Sequence, residues 1–134
     1  MDNVEKIIDI INSSVDLFCE CKGEKQIQNI LSRQLGWEVR RTLESEKYPK
    51  VEIDVFNKNY SIEIKYNRKY YSGINQLLIQ KWLYNIENII LFHVHNYLNR
   101  KFINAFRELA EKIGFKGFLL DRRKRKLIMV NING

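Results

Sequence analysis

Apolar side chains follow two rhythms along this chain. Over residues 3–18, Val4, Ile7, Ile8, Ile11, Val15 and Phe18 recur at the three-and-four spacing of one helix face. After a break at 19–23, Ile27, Ile30, Leu31 and Leu35 predict a second helix over 24–35, and Gly36 supplies its stop. The period then shortens to two. Trp37, Val39, Arg41 and Leu43 alternate with their neighbours, residues 48–50 turn at the single proline, and runs 51–56 and 60–66 read as a hairpin joined by Asn57, Lys58 and Asn59. A polar, aromatic loop covers 67–71. Ser72 is a candidate cap for a helix reaching residue 84, with Ile74, Leu77, Leu78 and Trp82 inward. Residues 88–95 are almost continuously apolar, as a strand buried on both faces requires. A helix over 99–113 presents Phe102, Phe106, Leu109 and Ile113 on one side before Gly114, and short strands follow at 118–120 and 127–130.

This order predicts an α/β fold: a mixed central sheet flanked by helices, an αβββαβ core, an extra N-terminal helix, and a C-terminal helix with two short strands. No repeat or linker interrupts residues 1–134, so a single domain is expected.

The hairpin carries the chemistry. Strict alternation sends Val51, Ile53 and Val55 one way and Glu52, Asp54 and Phe56 the other; on the return strand Ser61, Glu63 and Lys65 share a face. A two- or four-residue loop at 57–60 sets Asp54 opposite Glu63. Facing like charges destabilise a sheet, and a hard divalent cation held between two carboxylates removes that penalty. Such a cation polarises a phosphoryl oxygen and acidifies a bound water, and Lys65, two residues beyond Glu63, reaches the same spot. The Ile64 carbonyl is a further candidate ligand. The competing reading is a solvated charged face in which Glu52, opposite Lys65 in the same register, serves as its salt-bridge partner. Glu24 falls on the apolar stripe of the second helix, either as a favourable first-turn acid or as a third carboxylate aimed at the hairpin.

These residues resemble the PD-(D/E)XK, or restriction-endonuclease-like, superfamily. The likeness runs from Gly23 to His95, through Gly23-Glu24-Lys25-Gln26-Ile27-Gln28, Gly36-Trp37-Glu38-Val39-Arg40-Arg41, Val51-Glu52-Ile53-Asp54-Val55 and Ile62-Glu63-Ile64-Lys65-Tyr66, then a helix with Gln76 and Gln80 and an apolar strand. It is similar to the small single-domain members, archaeal Holliday-junction resolvases among them. Ile53 stands where the motif name places proline. The resemblance implies a Mg²⁺- (or Mn²⁺-) dependent deoxyribonuclease, most simply an endonuclease. Asp54 and Glu63 would bind the metal, Lys65 would assist the attacking water, and Glu24 would support the metal or its water. Gln76 would touch the site from the following helix, with Gln80, one turn later, as its rival. A catalytically silent DNA-binding module of the same fold is the alternative. A stand-alone domain cutting two strands is expected to be a symmetric homodimer.

Charge sharpens the choice of partner. The chain has 134 residues and a net charge of +7, which favours a polyanion such as DNA through counterion release. The run Arg122, Arg123, Lys124, Arg125 and Lys126 is either a solvated turn or a phosphate grip. Arg68, Lys69, Tyr70 and Tyr71 form a basic aromatic loop suited to phosphate or to an exposed base. No apolar run spans a membrane and the N-terminus lacks the pattern of a secretory signal, so a cytoplasmic protein with no membrane partner is expected. Cys19 and Cys21 are then reduced thiols. His93 and His95 are expected to be satisfied core histidines rather than metal ligands.

Overall fold

The structure, a computed structural model, describes residues 2–133. In chain order its elements are α1 (Asn3–Ser13), α2 (Val15–Cys19), α3 (Glu24–Leu35), β1 (Glu38–Leu43), β2 (Val51–Asn57), β3 (Tyr60–Tyr66), α4 (Ile74–Tyr84), β4 (Asn88–His95), α5 (Arg100–Ile113), β5 (Lys116–Asp121) and β6 (Lys126–Val130). The strands form one sheet in sequence order. β1, β2 and β3 are antiparallel, β3, β4 and β5 run parallel, and β6 returns antiparallel. The expected α/β class with a mixed, helix-flanked sheet is what the chain adopts.

Two parallel steps need two crossovers, supplied by α4 and α5. Both steps move the same way along the sheet, so crossovers of the usual right hand put both helices on one face. There Leu77 of α4 and Phe106 and Ala110 of α5 pack on Leu91 and Leu119. On the other face Ile7, Ile11, Phe18, Ile27 and Leu31 from α1, α2 and α3 pack on Ile62, Ile64, Phe92 and Leu120. β4 contributes alternate residues to both cores, which is why its sequence is apolar almost throughout. Among the described residues no helix is long and apolar enough to cross a membrane.

Four local expectations are corrected. The helix expected over 3–18 breaks at Ser14, whose N–H donates to the carbonyls of Ile10 and Ile11; the break redirects α2, and Phe18 meets Phe92 edge-on at 5.2 Å. Gly73, not Ser72, caps α4, with φ +98°. Trp82 is 69 % exposed, because α4 turns Ile74, Leu77 and Gln80 inward instead. The alternation along β2 also resets: Ile53 packs with the α4 side, whereas Val55 packs with the α3 side. The cause of that reset lies at Asp54.

Candidate active site

The β2–β3 ladder pairs Asn57 with Tyr60, Phe56 with Ser61 and Val55 with Ile62 across a two-residue turn. This is the register expected from the hairpin, and its next row would be Asp54 and Glu63. There the main-chain pairing stops and side chains take over. The Ile64 N–H donates to Asp54 Oδ2 at 2.8 Å, and the Asp54 N–H donates to Glu63 Oε2 at 3.2 Å. On the other side of β2 the ladder also omits one row, Arg40 with Asp54. Arg40 takes a left-handed φ of +50°, and its guanidinium donates to the buried Gln28 of α3 at 2.9 Å. The sheet is thus opened along the row Arg40, Asp54, Glu63, and a carboxylate from each strand of the hairpin occupies the gap.

This arrangement is electrostatically costly. Burial pushes the Asp54 carboxyl well above the usual range; Glu24 and Glu52 add to the rise, and the Ile64 N–H and Lys65 oppose it. Glu63, only 2 % exposed, is raised further, first by burial and then by Asp54, against the Asp54 N–H, Gln80 and Lys65. Each carboxylate leaves one oxygen, Asp54 Oδ1 and Glu63 Oε1, without a protein hydrogen bond among the described residues. Neither oxygen is fully enclosed; the enclosed unpaired atoms are Ser61 Oγ and Gln80 Oε1.

Three elements position the surrounding groups. β3 places Lys65 on the same face as Glu63, where among the described residues it makes no direct ion pair, with Glu52 or with any other acid. Gly73 lies against its stem: an added Cβ there would stand 2.5 Å from Leu91 Cδ1 and 3.3 Å from Lys65 Cε. α4 supplies Gln80, whose amide nitrogen donates to Glu63 Oε2 at 3.2 Å. Gln76 instead forms the wall between two cavities, one of about 330 Å³ that contains Lys65 and Arg68 and one of about 150 Å³ that contains Glu52 and Gln80. From the opposite face α3 brings Glu24, which accepts the Tyr66 N–H at 3.2 Å and lies 3.4 Å from Arg68 Nε.

The residues singled out for nucleic acid divide by engagement. Arg122 is spent inside the protein, donating to the Cys19 carbonyl, to Asn96 Oδ1 and to the Tyr66 hydroxyl. Arg125 pairs with Asp16 and Glu20, both at 2.9 Å. Arg123, Lys124 and Lys126 are exposed and form no ion pair among the described residues. Lys69 lies 6.0 Å over the Tyr71 ring, and Tyr70 meets Tyr71 and Phe102 edge-on.

The remaining candidates are internal. Cys19 and Cys21 are buried free thiols, pushed up by burial. His93 Nε2–H donates to the Ser72 carbonyl at 2.9 Å, so its Nδ1 accepts from His95 Nε2–H at 3.0 Å. Burial holds both rings neutral, lowering His93 to about 3 and His95 to about 4. The pair anchors Ser72, next to the Gly73 that flanks Lys65.

The donor set suits a hard cation. Two carboxylate oxygens, Asp54 Oδ1 and Glu63 Oε1, are left free of hydrogen bonds among the described residues, and Mg²⁺ commonly takes one or two carboxylates and keeps several waters. Among the described residues no group of three or more His, Cys, Asp and Glu gathers as a metal cage, so Glu24 stands beside the pair. Gln80, not the expected Gln76, meets the carboxylates; its signal in the sequence is a polar residue on the inward stripe of α4. Gly73 carries no signal in the sequence, because its role depends on contacts with Leu91 and Lys65 across the sheet. The chain matches no protein-family model, no curated protein and no solved structure, so its own geometry carries the functional reading.

Proposed function

We propose that the protein is a divalent-metal-dependent DNA nuclease of the restriction-endonuclease-like fold, its core running from α3 to β4. One observation carries the reading. Two carboxylates are driven into a gap between hairpin strands, at a cost that a cation would offset, with a lysine next on the same face.

Hydrolysis adds water across a phosphodiester: the hydroxyl joins phosphorus, and a proton goes to the departing sugar oxygen. Bound Mg²⁺ supplies a polarised phosphoryl oxygen and a more acidic water. Asp54 and Glu63 would hold the ion, each having one carboxylate oxygen free of protein hydrogen bonds among the described residues. Gln80 fixes the Glu63 carboxylate, and the Ile64 N–H fixes that of Asp54. Lys65 orients the attacking water and balances charge on the phosphate. Glu24 holds the end of β3 and steadies Arg68, whose guanidinium faces the same cavity as Lys65.

The test compares wild type with Asp54→Asn on linear, circular, flapped and four-way-junction DNA in Mg²⁺, Mn²⁺ or EDTA. Cleavage by wild type that requires metal and is lost in Asp54→Asn is expected, and the preferred substrate identifies itself. Salt-sensitive DNA binding without cleavage would replace this reading with a silent binding module. Neither activity would reduce the carboxylate pair to a structural feature.

A further inference from the structure

β3, β4 and β5 are parallel, so residues 67–73, 96–99 and 122–125 leave the same edge of the sheet. Hydrogen bonds knit these loops together. The Asn67 N–H donates to the Val94 carbonyl at 2.9 Å, the Asn96 N–H to Asn67 Oδ1 at 2.8 Å, and the Arg122 N–H to the His95 carbonyl at 2.8 Å. Lys65 and Arg68 stand at the β3 end of this edge. At the β5 end lies a separate cavity of about 600 Å³, between the start of α5 and the β5–β6 turn. Arg100 and Arg107 line it from the helix, two turns or about 10.5 Å apart, and Lys124 and Lys126 line it from the turn and β6.

All four cations are exposed, none forms an ion pair among the described residues, and no acid lines the cavity. The acid of that turn, Asp121, is buried and accepts the N–H groups of Leu98 and Lys124. By contrast Arg125, in the same turn, is paired twice. Four uncompensated like charges around one concave surface repel one another and focus a positive potential outward. An extended polyanion relieves that repulsion. Flexible exposed side chains without a base-reading groove suit backbone phosphates, which position a nucleic acid without reading it.

We infer that this cavity is a second binding site for backbone phosphates of duplex DNA, seating the helix along α5 at a distance from the carboxylate pair. The identity of the polymer rests on the nuclease reading; the site itself does not require cleavage. A substrate held here and at Arg68 would cross the loops that follow all three parallel strands.

Binding of a fluorescein-labelled 30-base-pair duplex is measured by anisotropy in EDTA, between 50 and 200 mM salt. The full-length proteins compared are wild type, R100Q/R107Q, K124Q/K126Q and the charge-matched control K58Q/K81Q, whose lysines lie off α5 and off the cavity. Neutralising a phosphate contact lowers the log–log salt slope by about 0.9, so each cavity pair is expected to lower it by about 1.8, while the control keeps the wild-type slope and affinity. Wild-type binding by both cavity variants would overturn the site. Equal losses in all three variants would also overturn it, leaving only the general attraction of a basic protein for DNA. Because EDTA abolishes cleavage throughout, failure of the site is distinguished from failure of the nuclease reading, which Asp54→Asn tests separately in metal.

Discussion

Glu63 accepts the backbone N–H of Asp54 at 3.2 Å, one row beyond the last regular pair of the β2–β3 ladder. A carboxylate therefore substitutes for a main-chain carbonyl inside a sheet, and Asp54 returns the arrangement by accepting from Ile64. Main-chain donors are satisfied, yet two acids are left close together under cover. That trade of stability for a charged opening is common where a site is built into a fold.

Gln80 is expected to tune metal affinity without touching the metal. Its amide orients Glu63, and loss of such an outer partner typically costs 10- to 100-fold in affinity. Gln80→Leu should shift the Mn²⁺ dependence of cleavage, or Mn²⁺ binding by calorimetry, upward by about that factor. Unchanged affinity would show that Glu63 is oriented by the Asp54 N–H alone.

Gly73→Ala should damage both stability and activity. The positive φ and the 2.5 Å approach to Leu91 Cδ1 make a Cβ costly, by about 1–3 kcal/mol. Because the same Cβ would press on Lys65 Cε, the fall in kcat is expected to exceed the change in KM. A stability loss with kcat intact would confine Gly73 to packing.

The metal-free protein should be weakened by its own carboxylates as pH rises. The native Glu63 carboxyl is raised above its unfolded value, so it binds its proton more tightly when folded. Its favourable contribution is full below the unfolded value of about 4.3 and is lost as pH climbs through the raised native value. Glu63→Gln, which cannot ionise, should be more stable than wild type at pH 9, by about 1–2 kcal/mol in urea unfolding, and the gap should narrow at pH 5. Added Mg²⁺ should raise the wild-type melting temperature and leave the variant unmoved.

The histidine pair predicts the opposite sign. His93 and His95 are depressed to about 3 and 4, so the native state stays neutral while the unfolded chain takes up protons below about 6.5. The stability they contribute is present above that value and is lost as pH falls toward 4 and then 3. Proton uptake on unfolding, read from the pH dependence of the urea midpoint, should be smaller in His93→Gln/His95→Gln, by nearly two near pH 5 and by about one and a half at pH 6 and at pH 4. An unchanged slope would mean that the rings titrate in the folded protein.

Much of this was legible from residue order alone. Element types and several boundaries follow from periodicity: β4 over Asn88–His95 coincides with the expected strand, and Asn99 caps α5 as its side chain permits. A two- or four-residue turn puts Asp54 opposite Glu63 on sequence grounds alone, and the observed pairing of Asn57 with Tyr60 selects that even count. Local chemistry suffices there, because each decision involves residues a few positions apart. Tertiary structure alone decided the rest. It reset the alternation at Asp54, because a side chain replaced a ladder bond, and it drew Gln80 inward and left Trp82 outside, because Glu63 sits beneath α4. It also split the basic run, spending Arg122 and Arg125 on α2 and its neighbours while Lys124 and Lys126 joined Arg100 and Arg107 around one cavity. Periodicity records which way a backbone faces; what waits on the far side is set by packing between segments distant in the chain.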